Sequence, residues 1–322
     1  MFNTVNKRYL LILSLFLATA LVLIWSLTSE KRDVPPFNLQ DESLSQDLDL
    51  LSLNLMGGGP KKDGIPPIED PRYVSVDEAE KYMDNNDVVF LIEATTAKIF
   101  PRKIMVWHEV VNDDVDGIPV SLTYCPLTGS AIGFVGNLSG YSTTLGTSGK
   151  LVNSNLVLYD RATNSNWPQI LGTAIDGSQK GRELTHVPII WTTWELAKTK
   201  YPGAKVLSEK TGFMRPYGSD PYGSYQANDT YYQEGSPMFP VLFSDDRLPD
   251  KEVVVGVNYN DTWLAFVKKE VMSAGELNYG ALLARHDPEL DTVHIFQGNN
   301  PVDSIEVMWF GWVAFHPFTE IA

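Results

Sequence analysis

Cysteine is nearly absent: Cys125 is the only one among 322 residues. An intramolecular disulfide is therefore excluded, and the fold must stand on its core alone. Histidine is scarce as well, with five, and none stands at metal-ligand spacing from another. Positive charge is in deficit, 25 Lys and Arg against 40 Asp and Glu, for a net charge of −15. Phosphate would be repelled, so a nucleic-acid partner is excluded, and the acidity serves solubility. Long helical patterns are missing too. Twenty prolines, twenty-four glycines, eight tryptophans and fourteen tyrosines favour short strands and turns.

One long apolar run is present. Residues 9–27 carry no charge and only Ser14, Thr19 and Ser26 as polar interruptions. A helix of that length spans roughly 28 Å, close to a bilayer's hydrocarbon thickness. Lys7 and Arg8 before it predict a cytoplasmic N-terminus over residues 1–8 and a single-pass anchor over 9–27. A cleaved signal peptide competes, since Ala18-Thr19-Ala20 has the small-x-small pattern, although the apolar run continues beyond it. Either reading places the remainder of the chain outside the cytosol, on the periplasmic or extracellular side.

Residues 28–71 are acidic and contain Gly57-Gly58-Gly59-Pro60 and Pro66-Pro67, which reads as a tether, with a short helix near 48–55. Residues 72–322 form the extracytoplasmic domain. Ser75 with Glu78, and Thr192 with Glu195, have capping-box spacing and predict two helices. Strand-like runs fall at 88–92, 104–111, 120–124, 131–135 and 155–159. Residues 211–249, rich in Tyr, Gly, Pro and Asp, read as an irregular excursion.

Three segments are echoed in order later in the chain. Residues 88–101 are echoed by 253–267, and 131–136 by 293–298. Trp191-x-x-Trp194 leading to Tyr201-Pro202 is echoed by Trp309-x-x-Trp312 leading to His316-Pro317. The echoes suggest two related lobes, 72–210 and 250–322, against the alternative of chance similarity among β-rich segments. The fold class expected is therefore α+β and β-rich, with mainly antiparallel sheets in two weakly related lobes behind one N-terminal transmembrane helix.

Polar residues concentrate at 108–130. Asp116-Gly117 is a hairpin turn signal, which would bring His108 and Cys125 near the far ends of one hairpin. A cysteine beside a histidine makes a thiolate nucleophile or a soft-metal site, copper being the metal considered. The plainer alternative is a buried thiol and a histidine satisfied by backbone. Asn112-x-Asp114-x-Asp116-Gly117 imitates the start of a calcium loop, but Thr123 stands where the bidentate Glu is needed. Asn112 and Tyr124, between the pair in sequence, are taken as ligand-binding candidates together with Thr128, Ser130, Asp160, Arg161 and Trp167. The loop 126–130, with Thr128 and Ser130, reads as a turn whose N–H groups could face an anion or carbonyl oxygen. A second cluster contains Asp160, Arg161 and Trp167 and centres on an Asp–Arg pair.

The segments WHEVVND (107–113), TYCPLTGSAIGF (123–134), LVNSNLVLYDRATNSNWPQ (151–169) and WFGWVAFHPFTEI (309–321) closely resemble the bacterial and archaeal domain-of-unknown-function family 3179. The resemblance runs from about residue 70 to the C-terminus. It implies an exported or membrane-anchored protein and supplies no activity. Members with a second cysteine read CPLC where this chain has Thr128, a departure that weakens a redox-pair or two-thiolate reading. Three functions are expected in turn. The first is an extracytoplasmic module binding a small ligand or soft metal around His108, Cys125 and Asp160. The second is an enzyme with Cys125 as nucleophile and His108 as base, and the third is a structural or interaction domain.

Overall fold

A computed structural model describes residues 44–138, 141–225, 230–260 and 262–322. The anchor expected at 9–27 lies outside the described residues; among those described, no helix is long and apolar enough to cross a membrane. The two-lobe α+β expectation is overturned: the chain is mainly β and forms a five-bladed propeller. Each blade is a sheet of four or five strands.

Blade I joins Tyr73–Val74, Val88–Ile92, Lys98–Pro101, Ile190–Thr193 and Lys205–Leu207. Blade II joins Val110–Val115, Ile118–Cys125, Ser130–Val135 and His186–Val187. Blade III joins Met56–Gly57, Leu145–Val152, Asn155–Asp160 and Asn166–Pro168. Blade IV joins Val253–Tyr259, Thr262–Val267, Ser304–Met308 and Glu320–Ile321. Blade V joins Glu276–Tyr279, Leu282–Asp287, Thr292–Gln297 and Asn300–Pro301. Segment 211–249 holds no helix or strand among its described residues.

Shared cores close the ring. Phe90 and Phe100 of blade I pack with Val111, Leu122 and Tyr124 of blade II. Cys125 and Ile132 of blade II share a cluster with Leu156 and Leu158 of blade III and with Val254 and Val307 of blade IV. Val255 and Phe266 of blade IV pack with Leu282 and Ile295 of blade V. Leu290 of blade V enters the cluster of Val89 and Leu91 in blade I, completing the circuit. Burial of this apolar surface, at about 25 cal/mol per Å², is what holds blades whose edges are not otherwise paired.

The echoes prove to be a repeated topology. In blade I the hairpin 88–101 is followed by a helix, α3 (Arg102–His108), and later by an antiparallel strand against its first member, a second helix, α4 (Trp194–Lys200), and a parallel strand against its second. Blade IV does the same with α5 (Lys268–Ala274) and α6 (Trp309–Phe315). Blades II and V are the detours in each copy, and blade III is an additional insertion in the first. The helices at Leu44–Leu53 and Val76–Ala79 are α1 and α2.

Backbone contacts repeat as well. Trp194 N–H donates to Asp87 O at 2.8 Å, and Trp309 N–H donates to Glu252 O at 2.7 Å. The caps Tyr201 (φ −127, ψ 68) and His316 (φ −130, ψ 68) follow helices of equal length. Trp194 is therefore matched by Trp309, three residues away from the register the tryptophan spacing suggests.

Two local expectations need correction. Residues 104–108 are helix rather than strand, because burial of Ile104, Met105, Val106 and His108 overrides their β preference. The expected tether is folded from residue 44 onward: Leu48 and Leu51 of α1 pack on Val152, Val157 and Ile175. Met56–Gly57 pairs with blade III, and Ile68 is fully buried.

Candidate functional site

The hairpin turn at Asp116 (φ 53) and Gly117 (φ 84) forms as expected, a left-handed pair suited to the strand twist. It does not bring His108 and Cys125 together chemically. His108 is fully buried at the end of α3; its Nδ1 lies 2.7 Å from Pro66 O and its Nε2 2.7 Å from the Tyr217 hydroxyl. Both ring nitrogens are occupied, and burial lowers its basicity despite the Pro66 hydrogen bond. Cys125, 1% exposed, packs into the central core, and its Sγ accepts the Leu156 N–H at 3.3 Å. Burial, and next the Glu109 carboxyl, push the thiol pKa up. A soft-metal site does not fit this donor set. Among the described residues no group of three His, Cys, Asp or Glu side chains is arranged to hold a metal.

The other candidates are clips within and between blades. Thr128 Oγ1 and Ser130 Oγ lie 2.9 Å apart, and Ser130 Oγ donates to Gln169 Oε1 at 2.7 Å. Asn155 Nδ2 donates to Thr128 Oγ1, so loop 126–130 is locked to blade III. Thr128 O accepts Met308 N–H at 3.0 Å, locking it to blade IV too. Asn112 spans blades II and III, donating to Leu145 O and accepting from Leu145 N–H and Ser121 Oγ. Asp160 and Arg161 do not pair with each other. Asp160 accepts from Thr163 N–H and Oγ1, Ser165 N–H and the Trp167 indole, while Arg161 bonds Asp63 and Glu69 at the surface. Tyr124 is buried against Phe90 and Trp191 and hydrogen-bonds Tyr225.

The open chemistry lies elsewhere, on the seam between the two topological copies. A cavity of about 240 Å³ is walled by matched positions: Val88 with Val253 where the hairpins begin, Thr193 with Met308 at the helix N-caps, and Trp191 with Glu306 two residues earlier. Gly129 and Asp291, at equivalent turns of blades II and V, complete the set. Tyr225, from segment 211–249, also lines it and packs edge-on to Trp191 at 6.0 Å. Gly129 is left-handed (φ 56), and a Cβ there would meet Met308 and Tyr225 at 3.0 and 3.2 Å. Only glycine keeps this wall open.

The copies have diverged in charge. Glu306 pairs with Lys268 at 2.7 Å and Asp291 with His286 at 2.9 Å. The indole nitrogen of Trp191 and the hydroxyl of Thr192, both from lining residues, are buried without a hydrogen-bond partner. Unspent buried donors cost free energy unless something satisfies them.

A family model described as "Protein of unknown function (DUF3179)" matches residues 62–319. The chain belongs to the DUF3179 family. No curated protein and no solved structure matches this DUF3179 chain. Family membership thus agrees with the motif resemblance and assigns no activity. Within this DUF3179 domain, the motifs carrying the resemblance serve mainly as inter-blade clips. The seam residues Trp191 and Glu306, and the buried Glu109 and Lys251, carry no site signature in the sequence; the echoed segments held the only signal for the seam.

Proposed function

We propose that this chain is a membrane-anchored, extracytoplasmic module that binds a small uncharged or zwitterionic organic molecule in the seam cavity. The carrying observation is the convergence of four blades on one cavity, two of whose lining residues, Trp191 and Thr192, hold buried polar atoms without partners. Its mostly apolar wall with few polar groups is the usual make-up of a ligand site, and its volume suits a small molecule. The lining acid Glu306 is paired with Lys268 and Asp291 is hydrogen-bonded to His286, so neither carboxylate is left without a partner. Trp191 and Tyr225 offer an aromatic surface for a flat or apolar ligand face. The apolar run 9–27, with Lys7 and Arg8 before it, supports the anchor and the orientation.

Native mass spectrometry of the purified chain should reveal a co-purifying small molecule, and Val88→Trp, which fills the cavity, should abolish it. Removing that molecule should change the Trp191 emission, isolated by subtraction of the Trp191→Phe spectrum. The reading fails if Val88→Trp retains the molecule, or if wild type carries none and a metabolite panel leaves Trp191 emission unchanged.

A further inference from the structure

Beside the seam cavity a second one, about 460 Å³, opens at the entry to blade IV. Lys251 lines it and is 7% exposed. Its backbone is pinned on both sides, by Phe310 N–H donating to Asp250 O at 3.1 Å and Trp309 N–H donating to Glu252 O at 2.7 Å. Its Nζ sits 3.3 Å from the centroid of the Tyr231 ring and 4.8 Å from that of Phe310. That ammonium reaches no hydrogen-bond acceptor among the described residues.

Facing two aromatic rings returns only part of the lost hydration and leaves the three N–H donors without acceptors. The other two lining lysines have carboxylate partners: Lys268 is bonded to Glu306 and Lys269 to Glu252. Asn86 stands at the matching position of the first copy, so the buried cation belongs to the second copy alone. The rest of the wall is Gln233, Glu252 and an apolar bed of Pro249, Val253 and Met272, and Lys251 is the one lining lysine with no carboxylate partner among the described residues.

We infer that this cavity binds a small organic carboxylate, its oxygens on Lys251 Nζ and its hydrocarbon body on Val253 and Met272. An oxyanion without a hydrocarbon body would use only half of these features, and an alcohol could accept one hydrogen bond but would leave the ammonium's charge unpaired. The two cavities share Val253 and Lys268 in their walls, but Lys251 lines only this one and Val88 and Trp191 only the other, so the two tests read out independently.

Butyrate, inorganic phosphate and 1-butanol are the probes, titrated against the full chain by thermal shift. Butyrate should raise the melting temperature, with phosphate and butanol having at least tenfold weaker effect. Lys251→Met, which preserves the contact with Tyr231 and Phe310, should weaken butyrate binding at least tenfold. Equal butyrate binding by Lys251→Met, equal protection by phosphate, or no response at tens of millimolar butyrate each overturns the inference. Should Lys251→Met not fold, NMR of the reductively ¹³C-methylated wild-type chain replaces it. The Lys251 resonance should titrate at higher pH with butyrate present, and an unchanged titration overturns the inference.

Discussion

Glu109 shows how much one side chain can impose. It ends α3 in the left-handed region (φ 58), where the second copy has Gly275 (φ 81). A non-glycine residue there carries backbone strain of about 1 kcal/mol. Its carboxyl is buried, and desolvation raises the pKa from 4.5 to about 8. The folded protein therefore holds a proton that the unfolded chain releases above pH 4.5. Glu109's stabilising contribution is complete below about pH 4.5 and is lost as pH climbs to about 8. Glu109→Gln should flatten the stability profile across that window, leaving the variant a few kcal/mol more stable than wild type near pH 8. Urea midpoints taken from pH 4.5 to 8 check this; parallel wild-type and variant profiles would refute it. At this scale the sequence was readable for residue types and misleading for direction. His108 and Cys125 do flank one hairpin, but the helical turn of 102–108 sends the imidazole toward Pro66 and Tyr217 while the thiol faces Leu156.

Among elements, the loop after Asn155–Asp160 in blade III is the clearest case of a motif that looks catalytic and is architectural. One buried carboxylate collects two backbone N–H groups, a threonine hydroxyl and the Trp167 indole. Asp160→Ala strips all four and leaves the buried donors of Ser165 and Trp167 unmatched, so a loss of about 3 kcal/mol is expected by urea denaturation. Butyrate affinity at Lys251 should not change in the surviving folded fraction, since that cavity belongs to blade IV. Hairpins were the most legible elements, because Asp116-Gly117 and the Val/Ile-rich runs state their own pairing. Helix α3 was not legible: Ile104, Met105 and Val106 carry no helical periodicity, and only packing between blades I and II decides for helix.

The whole molecule depends on segments far apart in sequence. Ile190–Thr193 returns to pair with Val88–Ile92 only after blades II and III have been built between them. No local pattern announces that pairing, which is why the echoes were visible while the ring was not. Interlocked blades should also unfold together. Ile295→Ala in the blade V core should cost about 3 kcal/mol. Cys125 sits in blade II, in a different core cluster, yet the urea midpoint of its reactivity should then shift in step with far-UV circular dichroism. A dichroism shift that leaves the thiol midpoint in place would show that the blades melt separately.

The seam between copies has a final consequence. Two identical walls would offer any bound molecule two equivalent poses, a statistical gain of about 0.4 kcal/mol. Trp191 opposite Glu306, and Gly129 opposite Asp291, remove that degeneracy. The ligand proposed for this cavity should therefore bind in one orientation rather than two, with its flat face on the indole. The repeated topology supplies the container, and the differing residues at its matched positions supply the direction.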